Sequence, residues 1–152
     1  MIVYNAPFFF LETTGTSYIM RLTDEGLLQH VYYGKKVPHD DFSYYNIHHR
    51  WAFDPVIPAK DDCVSANALP QEYPTFGRGD LRQPALVIED RKGRRINYLT
   101  YLRHELREGR ELLPGLPCLN KNLQEVQTLV ITLQDEITCA EVALHYVVFP
   151  QE

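Results

Sequence analysis

The chain has 152 residues, of which 45% are hydrophobic and 23% charged, and a formal net charge of −5. Such a chain is the size of one ordinary domain and buries roughly two-thirds of its unfolded surface on folding, so one core suffices. The composition excludes a disordered chain, and the acidic balance leaves no broad basic field for a nucleic-acid backbone.

At the front, the apolar run Ala6-Pro7-Phe8-Phe9-Phe10-Leu11 is too short to span a membrane, and no Lys or Arg precedes it to make a signal peptide. Neither a membrane nor an export address is therefore expected. Residues 8–12, 17–22 and 27–33 are short β-branched or aromatic runs, cut by Thr14-Gly15-Thr16 and Asp24-Glu25-Gly26, which read as hairpin turns. In the third run, strict alternation puts Leu28, His30 and Tyr32 on one face and Gln29, Val31 and Tyr33 on the other. Aromatics on both faces predict that both are covered.

Residues 38–82 form an irregular stretch with Pro38, Pro55, Pro58, Pro70 and Pro74, and a loop that long in a compact domain is usually functional or interfacial. Tyr44, Tyr45, Trp51, Phe53, Tyr73 and Phe76 supply flat apolar faces, while Asp54, Asp61, Asp62 and Asp80 supply acceptors. This mixture suits sugar binding, where CH faces lie on aromatic rings, and it suits a subunit interface equally. His48 and His49 are adjacent and would point to opposite faces of a strand, with no third ligand nearby, so no metal site is expected.

Beyond it, residues 84–89 read as a strand, residues 90–94 as a turn, and residues 96–106 as a long, twisted or bulged return strand. Arg91, Lys92, Arg94 and Arg95 flank Gly93 and belong to that polar turn. A helix is the rival over 96–106, but no N-cap follows Arg95. Residues 128–133 and 141–149 close the series around Gln134-Asp135-Glu136. Many short strands joined by turns predict an all-β fold, a large twisted antiparallel β-sandwich in a single domain with a long Pro- and aromatic-rich loop insertion.

The absence of a Walker sequence or a Gly-x-Ser-x-Gly elbow removes the common nucleotide-binding and acyl-transfer signatures. Cys63, Cys118 and Cys139 are odd in number and widely spaced, which argues against a disulfide framework or zinc site and fits a reducing cytoplasm. No cofactor is implied.

The segment Leu69-Pro70-Gln71-Glu72-Tyr73-Pro74-Thr75-Phe76-Gly77-Arg78-Gly79-Asp80-Leu81-Arg82-Gln83-Pro84-Ala85-Leu86 resembles the signature of the N-terminal domain of glycoside hydrolase family 36, the α-galactosidases of bacteria and fungi. Val31-Tyr32-Tyr33-Gly34-Lys35-Lys36, Leu113-Pro114-Gly115-Leu116-Pro117, and residues 129–136 followed by 144–149 resemble further motifs of that family in order and spacing. Leu81 stands where the family commonly has Phe, and residues 46–63 carry no part of the resemblance.

The resemblance implies a sandwich packed, in the parent enzyme, against a TIM barrel carrying two catalytic aspartates that hydrolyse terminal α-galactosides with retention. A (β/α)₈ barrel needs about 250 residues, so that barrel is expected to be absent from this chain, which reads as an N-terminal domain over 1–152 cut at a domain edge. It further implies a homo-oligomer in which this domain reaches a neighbour's active site. Trp51, Phe53, Asp54, Tyr73, Asp80 and Arg82 are the candidate contacts to an α-galactoside in that pocket, none of them catalytic. Asp80 and Arg82, at i and i+2 of an extended segment, are also placed to pair with each other or with loop backbone. The alternative classes are a free-standing carbohydrate-binding module and a structural self-association module.

Overall fold

The structure is a computed structural model and describes residues 1–45, 56–58, 63–77, 79–117 and 125–150. Strands β1 (Ile2–Asn5), β2 (Phe8–Glu12), β3 (Thr16–Leu22) and β4 (Leu28–Lys35) form a four-stranded antiparallel sheet in chain order. A short 3₁₀ turn, Ser43–Tyr45, follows, and then a two-stranded hairpin of β5 (Val56–Pro58) and β6 (Cys63–Ser65). Strands β7 (Leu99–Glu108), β8 (Gln127–Asp135) and β9 (Glu141–Val148) make a three-stranded antiparallel sheet. Among the described residues no helix is long and apolar enough to cross a membrane.

The two larger sheets lie face to face, as the expected all-β sandwich requires. Ile2, Phe9, Leu11, Met20 and Leu28 from the first meet Leu99, Leu129, Ile131, Leu133 and Val148 from the second in one core. Alternation sends the neighbours of Phe9 and Leu11 the other way: Phe8, Phe10 and Ile19 pack against Phe42 on the opposite face. Strand β2 is buried along its whole length for that reason. Both expected hairpin turns form, with Thr13 donating to the Thr16 carbonyl and Gly26 at φ +79 closing the next.

The structure departs from the sequence reading at four places. In β4, Met20 pairs with His30 but Ile19 with Tyr32, so Val31 is a bulge residue. The extra residue breaks the alternation: Tyr32 joins Val31 on the Phe42 side, and Tyr33 turns to Tyr18. Residues 84–89 are not a strand; the turn at 90–94 forms, but its incoming arm makes only an isolated parallel bridge, Thr75 to Leu86. The backbone of that arm pairs with the 74–76 segment, Ala85 N–H donating to the Pro74 carbonyl, and meets the return segment through the Asn97 side chain, whose Nδ2 donates to the Ile88 carbonyl, while the return strand pairs with β8 from Leu99 onward. Strand β1 forms in residues to which the sequence reading gave no element, and the β5–β6 hairpin forms within the stretch read as irregular. The 96–106 segment is a strand, bulged between Tyr101 and Arg103.

Candidate functional site

The segment at 69–82 returns along the outer edge of β4. Glu72 donates its backbone N–H to the Leu28 carbonyl and His30 donates to the Pro70 carbonyl, and Gln29 bridges Gln71. This addition to the sheet edge has two consequences.

First, it brings Glu72 between the sheets. Tyr18 of β3 donates to both carboxylate oxygens at 2.6 Å, Tyr146 of β9 donates to Oε1 at 3.0 Å, and His30 Nδ1 stands 3.6 Å from Oε2. Burial, reinforced by the Glu72 charge, pushes both phenols well above the ordinary tyrosine range, so they stay neutral donors. Above this cluster opens a groove of about 560 Å³ walled by Tyr18, Tyr33, Tyr146, His145, Thr16 and Phe149. The bulge at Val31 is what turns Tyr33 toward it. Glu72 accepts from two hydroxyls and is a tie between sheets, not a free base.

Second, the segment buries Asp80, which is 2% exposed. Gly77 at φ +144 and Gly79 at φ +91 form the turn that presents it, with Asp80 N–H donating to the Gly77 carbonyl. Arg82 donates to both carboxylate oxygens, Nε to Oδ1 at 2.9 Å and Nη2 to Oδ2 at 2.7 Å, while Gln71 Nε2 donates to Oδ2 at 2.9 Å. The sequence-stated pairing at i and i+2 thus takes the bidentate form. Both Arg82 Nη2 and Gln71 Nε2 also donate to the Ala66 carbonyl, at 2.7 and 3.1 Å.

Of the other candidate contacts, Tyr73 is partly buried against the inter-sheet core. Trp51, Phe53 and Asp54 lie outside the described residues, as do His48, His49, Asp61 and Asp62. Tyr44 and Tyr45, beside them in sequence, are exposed with rings 4.6 Å apart, braced on the buried Phe42.

The buried carboxylates of the described residues are each occupied in a separate place. Glu12 meets His39, Lys36 and Ser17, and Asp135 accepts from Thr138 and the 137–138 backbone. Glu72, Asp80 and Glu89, close in sequence, diverge to the tyrosines, to Arg82 and to Arg95 respectively. Among the described residues no three His, Cys, Asp or Glu side chains could hold a metal ion. Sequence reasoning missed Tyr18, His30 and Tyr146 as partners of Glu72. The available signal was a tyrosine on the core-facing register of two different strands, a position that asks for a buried acceptor.

These features define a class: an antiparallel two-sheet sandwich whose charged residues serve as structural ties and whose long central segment carries the aromatic surface. The sequence model of the glycosyl hydrolase family 36 N-terminal domain matches residues 26–152, and the chain belongs to that family. The bifunctional alpha-galactosidase/sucrose kinase AgaSK of Mediterraneibacter gnavus is 38% identical over 148 residues, covering 95% of this chain and 16% of that protein. Alpha-galactosidase AgaA of Geobacillus stearothermophilus is 34% identical over 142 residues, covering 93% and 20%. The solved galactosidase domain of AgaSK superposes with a TM-score of 0.89 at 37% identity, over 99% of this chain and 21% of that one. Alpha-galactosidase AgaB from Geobacillus stearothermophilus gives 0.88 at 34%, over 99% and 21%. The chain therefore spans between 16% and 21% of the length of these relatives.

Proposed function

We propose that this chain is the non-catalytic N-terminal domain of a cytoplasmic family 36 α-galactosidase, whose catalytic barrel is supplied by the rest of the parent protein. In this reading it packs on that barrel, aids homo-oligomer assembly, and lends side chains to a neighbouring subunit's α-galactoside pocket. The observation that carries it is the coverage: nearly all of this chain aligns with only about a fifth of each α-galactosidase. Trp51, Phe53, Asp54, Tyr73 and Arg82 are the proposed contacts, aromatic rings stacking on sugar and charged groups meeting hydroxyls; Asp80, buried and fully engaged, enters through Arg82.

The test is an assay of the isolated chain on an aryl α-galactoside, expected to give no turnover above buffer. The remainder of the parent enzyme should gain activity or thermal stability when this chain is added. Turnover by the chain alone, removed by Asp80→Ala, would overturn the reading. The exposed, tilted pair of Tyr44 and Tyr45 favours a second reading, a free-standing carbohydrate-binding module. Galactoside binding by the isolated chain that Trp51→Ala abolishes would select it.

A further inference from the structure

We propose that the groove between β9 and the ends of β3 and β4 binds a neutral sugar ring, with Tyr33 and Phe149 as aromatic surfaces and the hydroxyls of Thr16, Tyr18 and Tyr146 as hydrogen-bonding groups. The site stands on residues 11–33 and 145–149 and is independent of the sugar-pocket reading above.

The groove holds about 560 Å³, within the roughly 300–1,000 Å³ of small-molecule sites. Its apolar lining includes Leu11, Val147 and Phe149. Tyr33 also lines it while staying 69% exposed, its ring 5.8 Å from that of Tyr18, because the extra residue at Val31 turns it to this side. Among the described residues no Asp, Glu, Lys or Arg lines the groove, so a charged occupant would lose its water without gaining a counter-charge. The imidazole of His145 is turned to Glu111, Nδ1 to Oε2 at 3.0 Å, so a proton gained there is answered by that carboxylate.

The protons of the hydroxyls fix what a neutral occupant must bring. Tyr18 and Tyr146 each have one O–H, and both give it to Glu72, so toward an occupant they can only accept. On the β2–β3 turn, Thr13 Oγ1 accepts from the Gly15 and Thr16 N–H groups at 3.2 and 3.0 Å, which uses both of its lone pairs. Its own proton therefore goes to Thr16 Oγ1 at 2.8 Å, and the Thr16 hydroxyl is left with a proton to donate. The groove thus presents acceptors that ask for a donor and a donor that asks for an acceptor. A hydroxyl is both, and a pyranose carries several around a ring whose C–H face matches the Tyr33 and Phe149 rings. An anion meets only acceptors at the two phenols, and a bare hydrocarbon ring leaves every hydroxyl unpaired.

The test is a titration of the 152-residue chain with methyl α-galactopyranoside, followed by NMR. Saturation is expected with a Kd on the order of 1 mM, the affinity that roughly a dozen non-hydrogen atoms support. The Thr16, Tyr33 and Val147 amide signals should move and those of β7 should not. Tyr33→Ala should weaken binding at least about tenfold, Tyr33→Phe by less than about twofold, and Thr16→Val by about threefold. Tyr33 is exposed, so both of its variants keep the fold, which an unchanged melting temperature checks. The uronate of the same ring, and cyclohexanol, should each bind at least about tenfold more weakly. No saturation by about 50 mM overturns the site, as does equal affinity for the uronate or cyclohexanol, or a Tyr33→Ala chain that binds as wild type. Binding lost in Trp51→Ala but kept in Tyr33→Ala also overturns the groove, and leaves the carbohydrate-module reading standing.

Discussion

Replacing Tyr18 with phenylalanine tests the tie between the sheets through its pH dependence. Tyr18 donates to Glu72 at 2.6 Å, and burial first, then the Glu72 bond and charge, raise its pKa above the ordinary tyrosine value. A hydrogen bond to a charged group contributes about 1.5–3 kcal/mol, and Tyr146 still serves Glu72 in the variant, so the low end, about 1.5 kcal/mol, is expected at neutral pH. A phenol whose pKa is raised on folding gives its full stability below its unfolded value, near 10, and loses it as the pH climbs toward the folded value. By about pH 11, ionisation of the unfolded Tyr18 favours unfolding by about 1.4 kcal/mol, which matches the neutral-pH advantage. Urea denaturation of both proteins from neutral pH to about pH 11 should show the stability gap closing over the last pH unit. A gap of the same size at both ends refutes the reasoning, since Tyr18 would then ionise as readily folded as unfolded.

Phe9 is wholly buried and stacks on Tyr4 at 4.5 Å and against His104 at 5.0 Å. Phe9→Ala should cost about 3–5 kcal/mol in denaturant unfolding, whereas Phe76→Ala, at an exposed position, should stay within about 0.5 kcal/mol. Gly77→Ala places a Cβ 2.7 Å from Ile96 Cγ2 and 3.3 Å from the Asn97 carbonyl, at a backbone angle that favours glycine. That carbonyl is fixed by Thr75 Oγ1, so the variant should lose about 1–3 kcal/mol in thermal melts, and Ile96→Ala should restore only the steric share. Burial lowers the pKa of His104, which bonds Tyr101 through Nδ1 at 2.6 Å. Its contribution is therefore present above about pH 6.5 and lost as the pH falls, because the unfolded chain takes up the proton first. His104→Gln should flatten the fall in melting temperature between about pH 7 and pH 5.5, and an unchanged fall would refute the assignment.

What could be read from the sequence was what alternation and local turn chemistry control. Residues 8–12, 17–22, 128–133 and 141–149 carry continuous apolar or alternating runs bounded by Gly, Asp or Thr, and all became strands with ends shifted by at most two residues. The Asp80–Arg82 pair was legible because two residues apart on extended backbone is a local relation. The bulge at Val31 was not, since a bulge inserts one residue into the period without a mark in composition, and it moved Tyr32 and Tyr33 to the faces opposite their predicted ones. The arm at 84–89 has the pattern of a strand, but its backbone pairing goes to the 74–76 segment, and that competition is invisible locally. The Glu72 cluster joins residues 54 and 74 positions apart, and Arg82 reaches past Asp80 to the Ala66 carbonyl, a group that every residue possesses. Neither leaves a spacing to find.

That Arg82 and Gln71 meet a carbonyl of Ala66 and not a side chain has a consequence for variation. The scaffold holds Ala66 by its backbone, so the join asks of that position only a side chain that fits beside Leu27 and Leu69. Residue 66 can therefore exchange among small apolar side chains while the join between the 69–82 segment and β6 stays the same.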